Sequence, residues 1–153
     1  MLDIASISAI VATAGVLIAV VYYILDMRNQ RLVRQTDLIM KLYSRYGSEA
    51  FQKSMDKLRQ RDLKDLDYLQ KHSFAEWVAV GTFFEGVGIL LHRKLRDIGL
   101  VDDLFTAPVN MAWDMMKDSI IEVRKQYGQP TIFEWFEDLY NELKKREQKL
   151  KTS

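Results

Sequence analysis

"IASISAIVATAGVLIAVVYYILDMRNQRLVR", residues 4–34, decides how the rest of the chain is interpreted. Its first part, residues 4–25, contains no charged residue and no proline. As an α-helix these 22 residues extend about 33 Å, and the hydrocarbon core of a bilayer is about 30 Å thick. The stretch therefore predicts a transmembrane anchor at residues 1–25.

Two other interpretations of this stretch are a cleaved signal peptide and a buried helix of a soluble protein. A secretory signal has a basic beginning, an apolar core of about 7–15 residues and a cleavage site formed by small residues. Here Asp3 precedes the apolar run and the bulky residues 22–25 end it. An uncleaved membrane anchor is favoured over both alternatives.

The charges that flank the apolar run predict its orientation. Arg28, Arg31 and Arg34 follow the run, and no lysine or arginine precedes it. Because cytoplasmic flanks are enriched in basic residues, we expect the N-terminus outside the cell membrane and the C-terminal domain in the cytoplasm. The three arginines should lie at the membrane surface, with ordinary attraction to the leaflet favoured over specific lipid binding.

Small residues form one stripe along this predicted helix, at spacings of three, four, three and four. The stripe consists of Ala5, Ser8, Ala12, Gly15 and Ala19. Small side chains allow two helices to approach closely in lipid, where apolar burial does not drive association. The stripe predicts a helix–helix interface with a second copy or with another membrane protein, unless it reflects only how common alanine and glycine are in spanning helices.

Composition excludes several classes of partner and chemistry. Lysine and arginine total 22 against 21 aspartate and glutamate, so we expect no nucleic-acid partner. The chain has no cysteine, which excludes disulfides, thiolate nucleophiles and cysteine zinc sites.

The remainder of the chain predicts an all-α fold. Apolar residues recur at helical spacing and no segment alternates with the period of a strand. This spacing predicts three inward-facing stripes: Trp77, Val80, Phe84, Val87 and Leu91; Val109, Trp113, Met116, Ile120, Val123 and Tyr127; and Phe136, Leu139 or Tyr140, and Leu143. We expect a juxtamembrane helix at residues 26–47, a helical domain at 48–143 and a basic helix end and tail at 144–153. The whole should form a bundle of four to five helices after the anchor, with one or two helices in residues 48–72.

Helix ends are predicted from capping patterns. "SFAE", residues 73–76, is a capping box that opens a long helix ending at Gly99. Thr106 and Pro108 suit the start of the next helix. "TIFE", residues 131–134, is a second capping box and opens the last helix.

One stripe in the long helix allows a chemical hypothesis. Gly81, Glu85, Gly88 and His92 are spaced four, three and four residues apart. The glycines open either a groove in which Glu85 and His92 act on a ligand, or a surface against which another helix packs closely. We favour the second, with Glu85 as a partly buried carboxylate paired with Arg124, because an unpaired buried charge is costly.

Known catalytic and cofactor motifs do not occur in the sequence. The di-metal Glu-x-x-His pattern, the phosphate loop, the dinucleotide-binding glycine motif and the nucleophile elbow are all missing. We expect no catalytic residue, no metal ligand and no cofactor.

The part of the chain from Trp77 to Leu143 resembles an uncharacterised prokaryotic family of short proteins. It contains an aromatic-glutamate step at Phe84 and Glu85, a tryptophan at position 113 and an arginine at position 124 before a proline-containing turn. The resemblance implies one N-terminal membrane span and a helical domain of unknown function, with no activity to carry over.

Together these observations predict a non-enzymatic, single-pass membrane protein that acts through protein contacts. It would be a homo-oligomer or a small accessory subunit of a larger membrane complex, in contact with the lipid bilayer. The alternative is a ligand sensor or enzyme on the cytoplasmic face that uses the groove around Glu85 and His92.

Overall fold

The computed structural model describes residues 3–93 and 98–151, and these residues form six α-helices and no strand. The helices are α1 (Ile4–Tyr46), α2 (Glu49–Arg59), α3 (Leu66–His72), α4 (Phe74–His92), α5 (Ile98–Tyr127) and α6 (Glu134–Lys151). The predicted all-α class is confirmed for the described residues, and residues 48–72 form two helices. The chain divides into two compact units, Met1–Leu38 and Ile39–Ser153.

The first unit consists of α1 up to Leu38. Its described apolar side chains are exposed, including those of Val16, Leu17, Ile18 and Val21. A helix that is apolar on all sides is typical of a membrane span or of the centre of a large core. Within this unit the described apolar side chains have no protein core to cover them.

The second unit is built around α4, which contacts α2, α3, α5 and α6. Its buried residues include the predicted stripe residues Trp77, Val80, Phe84 and Val87, whereas Leu91 is only partly buried. The core is completed by residues from the other helices, among them Ile39, Met55, Leu58, Leu69, Phe105, Val109, Met116, Ile120, Phe136, Leu139 and Leu143.

The ends of α4 and α5 differ from the prediction. α4 ends at His92 instead of Gly99, which lies within α5. α5 begins at Ile98, ahead of the predicted start, and contains Pro108 in its interior. Val101 and Phe105 are buried before this proline, so packing stabilises helix where the local pattern predicted a loop.

Neither predicted capping box forms. Ser73 is the N-cap residue of α4, but its hydroxyl makes no capping hydrogen bond, and Glu76 instead forms an ion pair with Lys57. Thr131 lies in a turn before α6, which begins at Glu134. The start of α6 must therefore be satisfied by another group.

Candidate functional site

The group that satisfies the start of α6 is the side chain of Glu85 in α4. Its Oε2 accepts a hydrogen bond from the backbone N–H of Phe136 at 2.8 Å. Phe136 is the third residue of α6, and the first N–H groups of a helix have no partner within the helix. Phe133, which precedes the helix, has no side-chain acceptor. The carboxylate of Glu85 therefore acts as an N-cap supplied by a neighbouring helix.

The environment of Glu85 shifts its protonation. Burial raises the pKa of the Glu85 carboxyl above its ordinary value, and the charge of Glu134 adds to this effect. Backbone hydrogen bonds from Phe136 and Trp135, together with the charge of Arg124, lower the pKa but do not cancel the effect of burial. The folded protein therefore holds a proton on Glu85 more readily than water-exposed glutamate does.

Two of the predicted glycines lie directly under the beginning of α6. A Cβ atom at Gly81 would lie 2.3 Å from the ring of Phe133, and one at Gly88 would lie 2.0 Å from the carbonyl oxygen of Trp135. Real Cβ atoms essentially never make contacts under 3.0 Å. The structure thus places residues of α6 and its preceding turn where the sequence suggested a groove, as the close-packing alternative expects.

Arg124 is arranged differently from the prediction. Its Nε donates to the carbonyl oxygen of Ile132 at 2.8 Å, and its Nη1 donates to Oε2 of Glu137 at 2.6 Å. The carboxylate of Glu85 is engaged by the α6 backbone, so Arg124 acts on it only as a nearby charge. The predicted pair of Glu85 and Arg124 is therefore replaced by two separate links. Glu85 links α4 to the start of α6, and Arg124 links the end of α5 to α6 and to the turn before it.

His92 is exposed at the end of α4, with its ring centroid 4.0 Å from that of Trp135. Together with Ile89 and Arg93 these residues line a cavity of about 500 Å³. Glu85 is not among the residues that line this cavity. Within residues 3–93 and 98–151, no group of three or more histidine, cysteine, aspartate or glutamate side chains could hold a metal ion.

The predicted membrane residues lie on exposed positions of α1. Ser8, Ala12, Gly15 and Ala19 are exposed, and a Cβ atom at Gly15 would have no neighbour within 4 Å. The side chain of Ala5 lies outside the described residues. The three arginines of the predicted membrane surface, Arg28, Arg31 and Arg34, are also exposed.

Two helices in the described part of the chain are long and apolar enough to cross a bilayer. They are Val11–Tyr46, which is entirely unburied in its apolar window, and Phe74–His92. The second is α4, whose buried residues form the centre of the helical domain. Only the first presents its apolar window without a protein covering.

Comparison with known proteins identifies a family and no activity. The model of DUF4760, a domain of unknown function, matches residues 9–143. The match extends from the apolar part of α1 into α6 and so covers more than the Trp77–Leu143 region that carries the resemblance. Neither the curated proteins nor the solved structures compared with the chain match it.

Proposed function

The chain belongs to the DUF4760 family, and from this premise we propose that it is a single-pass membrane protein that acts through protein contacts. In this proposal α1 spans the cell membrane, its N-terminus lies outside and the helical domain lies in the cytoplasm. The protein associates with itself or serves as an accessory subunit of a larger membrane complex, and it is not an enzyme.

The observation that carries the proposal is the exposed, uncharged surface of α1. From Val11 to Leu25 the described side chains are exposed and none is charged. Large contiguous apolar surfaces are rare on proteins in water and mark contacts with a membrane or a partner. The length of the uncharged run matches the thickness of a bilayer, which favours the membrane.

The flanking charges support the proposed orientation. Arg28, Arg31 and Arg34 are exposed within the first ten residues after the apolar run, where cytoplasmic basic residues have their strongest effect on topology. Asp3 is the charged residue on the other side of the run.

Two observations support protein contacts over catalysis. On one exposed face of α1, the small side chains of Ala12, Gly15 and Ala19 would let a second helix approach the backbone closely. Helix–helix interfaces in membranes are enriched in such small residues. In the helical domain, Glu85 caps α6 and the glycine-lined surface beside it is covered by Phe133 and Trp135. The carboxylate and the glycines that an enzymatic groove would require are thus engaged in holding helices together.

Orientation is tested with single cysteines, because the chain has none of its own. Asp3→Cys and Asn141→Cys variants, the second at an exposed position of α6, are treated in intact cells with a membrane-impermeant maleimide. We expect labelling of the Asp3→Cys variant in intact cells and of the Asn141→Cys variant only after permeabilisation. Release of the protein from membranes by alkaline carbonate, or equal labelling of both variants in intact cells, would contradict the proposal.

Association through α1 is tested by comparing the native masses of the Gly15→Leu and Ala14→Leu proteins after each is extracted from the membrane without detergent. Both variants introduce the same side chain, but only Gly15 lies on the small-residue stripe. We expect Gly15→Leu to shift the native mass towards smaller assemblies and Ala14→Leu to leave it unchanged. An unchanged mass for Gly15→Leu would exclude the stripe as the interface.

A further inference from the structure

A third glycine of α4, Gly86, is not explained by the packing of the domain. Gly81 and Gly88 lie under residues 133 and 135, but a Cβ atom at Gly86 would have no neighbour within 4 Å. Glycine weakens a helix interior relative to alanine, because it loses more backbone freedom on folding. The absent side chain at Gly86 therefore leaves open space beside α4 without serving a contact in the described structure.

That space belongs to an apolar groove between α4 and the last turns of α1. The groove has a volume of about 430 Å³ and is lined by Leu42 of α1 and by Val78, Phe83 and Gly86 of α4, among others. All of its described lining residues belong to the second unit, Ile39–Ser153. Its apolar floor is formed by Phe83, which is buried, and Leu42, which is partly buried.

Among the described residues that line the groove, one is charged, and it is Arg45. Its side chain is exposed, and across residues 3–93 and 98–151 its guanidinium has no hydrogen-bond or ion-pair partner. Arg45 lies in the last turn of α1, where the helix dipole favours a cation, so the charge itself is tolerated there. A free guanidinium beside an apolar groove complements a ligand with an anionic head and an apolar body.

The size of the groove favours a small ligand over a protein. Seven described residues line it, whereas a stable protein–protein interface involves about 20–30 residues on each side. Its volume falls within the range of about 300–1,000 Å³ that is usual for small-molecule sites, which are mostly apolar with a few polar groups.

We propose that this groove binds a fatty acid, with the carboxylate at Arg45 and the acyl chain along Leu42, Phe83 and Gly86. The proposal goes beyond the protein-contact function and does not depend on it, because every described residue that lines the groove belongs to the second unit, Ile39–Ser153.

The test uses the full chain in lipid nanodiscs and a palmitate analogue that carries a photoreactive diazirine in its chain. Cross-linked residues are located by mass spectrometry. We expect saturable labelling within residues 78–86 that palmitate displaces and that hexadecanol, its uncharged analogue, displaces much less. Labelling of residues 11–25 reports contact with the bilayer and tests the membrane anchor separately.

Variants on both sides of the groove sharpen the test. Arg45→Gln should weaken labelling of residues 78–86 about tenfold, because a charge-assisted hydrogen bond is lost. Gly86→Leu should fill the groove and abolish labelling of residues 78–86, whereas Gly86→Ala should retain this labelling. Arg93→Gln is the matched arginine control, since Arg93 is exposed and lies outside the groove, and it should change nothing.

Several results would overturn the proposal. These are no saturable labelling of residues 78–86, equal displacement by hexadecanol, or labelling that Arg45→Gln leaves unchanged. Far-UV circular dichroism and a thermal melt accompany each variant. If Gly86→Leu does not fold, Arg45→Gln decides the question, because Arg45 is exposed and its guanidinium forms no hydrogen bond or ion pair with a described residue.

Discussion

Gly88→Ala places one methyl group at the closest approach between α4 and α6. The added Cβ would lie 2.0 Å from the carbonyl oxygen of Trp135 and 2.6 Å from its carbonyl carbon. Both contacts are with backbone atoms, so no side-chain rotation relieves them. The beginning of α6 must move away from α4 by roughly 1 Å or more before the contact becomes tolerable.

The expected cost follows from that displacement. Overpacking a close-packed site costs about 1–3 kcal/mol. The displacement also draws the N–H of Phe136 away from Glu85, now 2.8 Å distant, and an unsatisfied buried donor costs about 1–3 kcal/mol. Helix propensity returns about 1 kcal/mol when glycine becomes alanine. We expect a net loss of about 3 kcal/mol in the free energy of unfolding.

Thermal unfolding of the nanodisc-embedded chain measures this loss through circular dichroism at 222 nm and tryptophan fluorescence. For a chain of this size 1 kcal/mol corresponds to about 2–4 °C, so Tm should fall by about 6–12 °C. Gly86→Ala is the matched control, because the same substitution in the same helix meets no atom within 4 Å. The control should leave Tm unchanged or raise it, since it gains helix propensity without a clash.

The comparison of the two variants refutes the packing argument if they behave alike. Helix propensity cancels between them, so the difference in Tm isolates the contact between Gly88 and Trp135. A Gly88→Ala protein that melts with or above the Gly86→Ala protein would mean that α6 does not lie against Gly88.

Three further predictions concern polar groups that are buried or partly buried. Glu85→Ala should be less stable than Glu85→Gln by about 1–2 kcal/mol, because only glutamine keeps an acceptor for the N–H of Phe136. Because burial raises the pKa of Glu85, the folded state takes up a proton more readily than the unfolded state. The wild type should therefore gain stability relative to Glu85→Gln as the pH falls from 7, through the raised pKa of Glu85, towards 4.5. Denaturant titrations at each pH measure this difference in stability, and a difference that is constant with pH contradicts the prediction. Ser119→Ala should cost about 1–3 kcal/mol, because the buried indole N–H of Trp77 donates to the Ser119 hydroxyl at 2.8 Å. Ser54→Ala is the control, because the Ser54 hydroxyl is partly exposed and donates only to the carbonyl oxygen of Ala50 within α2. It should change stability by less than about 0.5 kcal/mol, and an equal loss for both serines would exclude the hydrogen bond as the cause.

The buried faces of the helices were predictable from local sequence. The helical spacing predicts five inward-facing residues that are all buried in the structure: Trp113, Met116 and Ile120 in α5, and Phe136 and Leu143 in α6. A helix that covers a core must repeat its apolar residues with the helical period, so the sequence of each helix alone contains this information. The end of the stripe in α5 was wrong, since Tyr127 is exposed where the chain leaves the core.

The start of α6 was not predictable from local sequence. The Thr131–Glu134 pattern favours a capping box, but Phe133 adopts a φ of 55°, which non-glycine residues rarely do and which costs about 1–3 kcal/mol. Its ring packs 5.0 Å from that of Trp77 and covers Gly81, and this burial offsets the strain. The cap comes from Glu85, 51 residues away from Phe136, and no local pattern connects the two.

The helical period alone predicts on which face of α4 each of its three glycines lies. At about 100° per residue, Gly88 lies on the same face as Gly81, whereas Gly86 lies about 140° away from Gly81. The period therefore separates Gly86 from the other two on the strength of spacing alone. What the period does not contain is which face α6 covers, because that depends on the turn around Phe133. Since α6 lies on the face of Gly81 and Gly88, the missing side chain at Gly86 is the one that intramolecular packing does not explain, and the groove beside Arg45 is the place to look for its ligand.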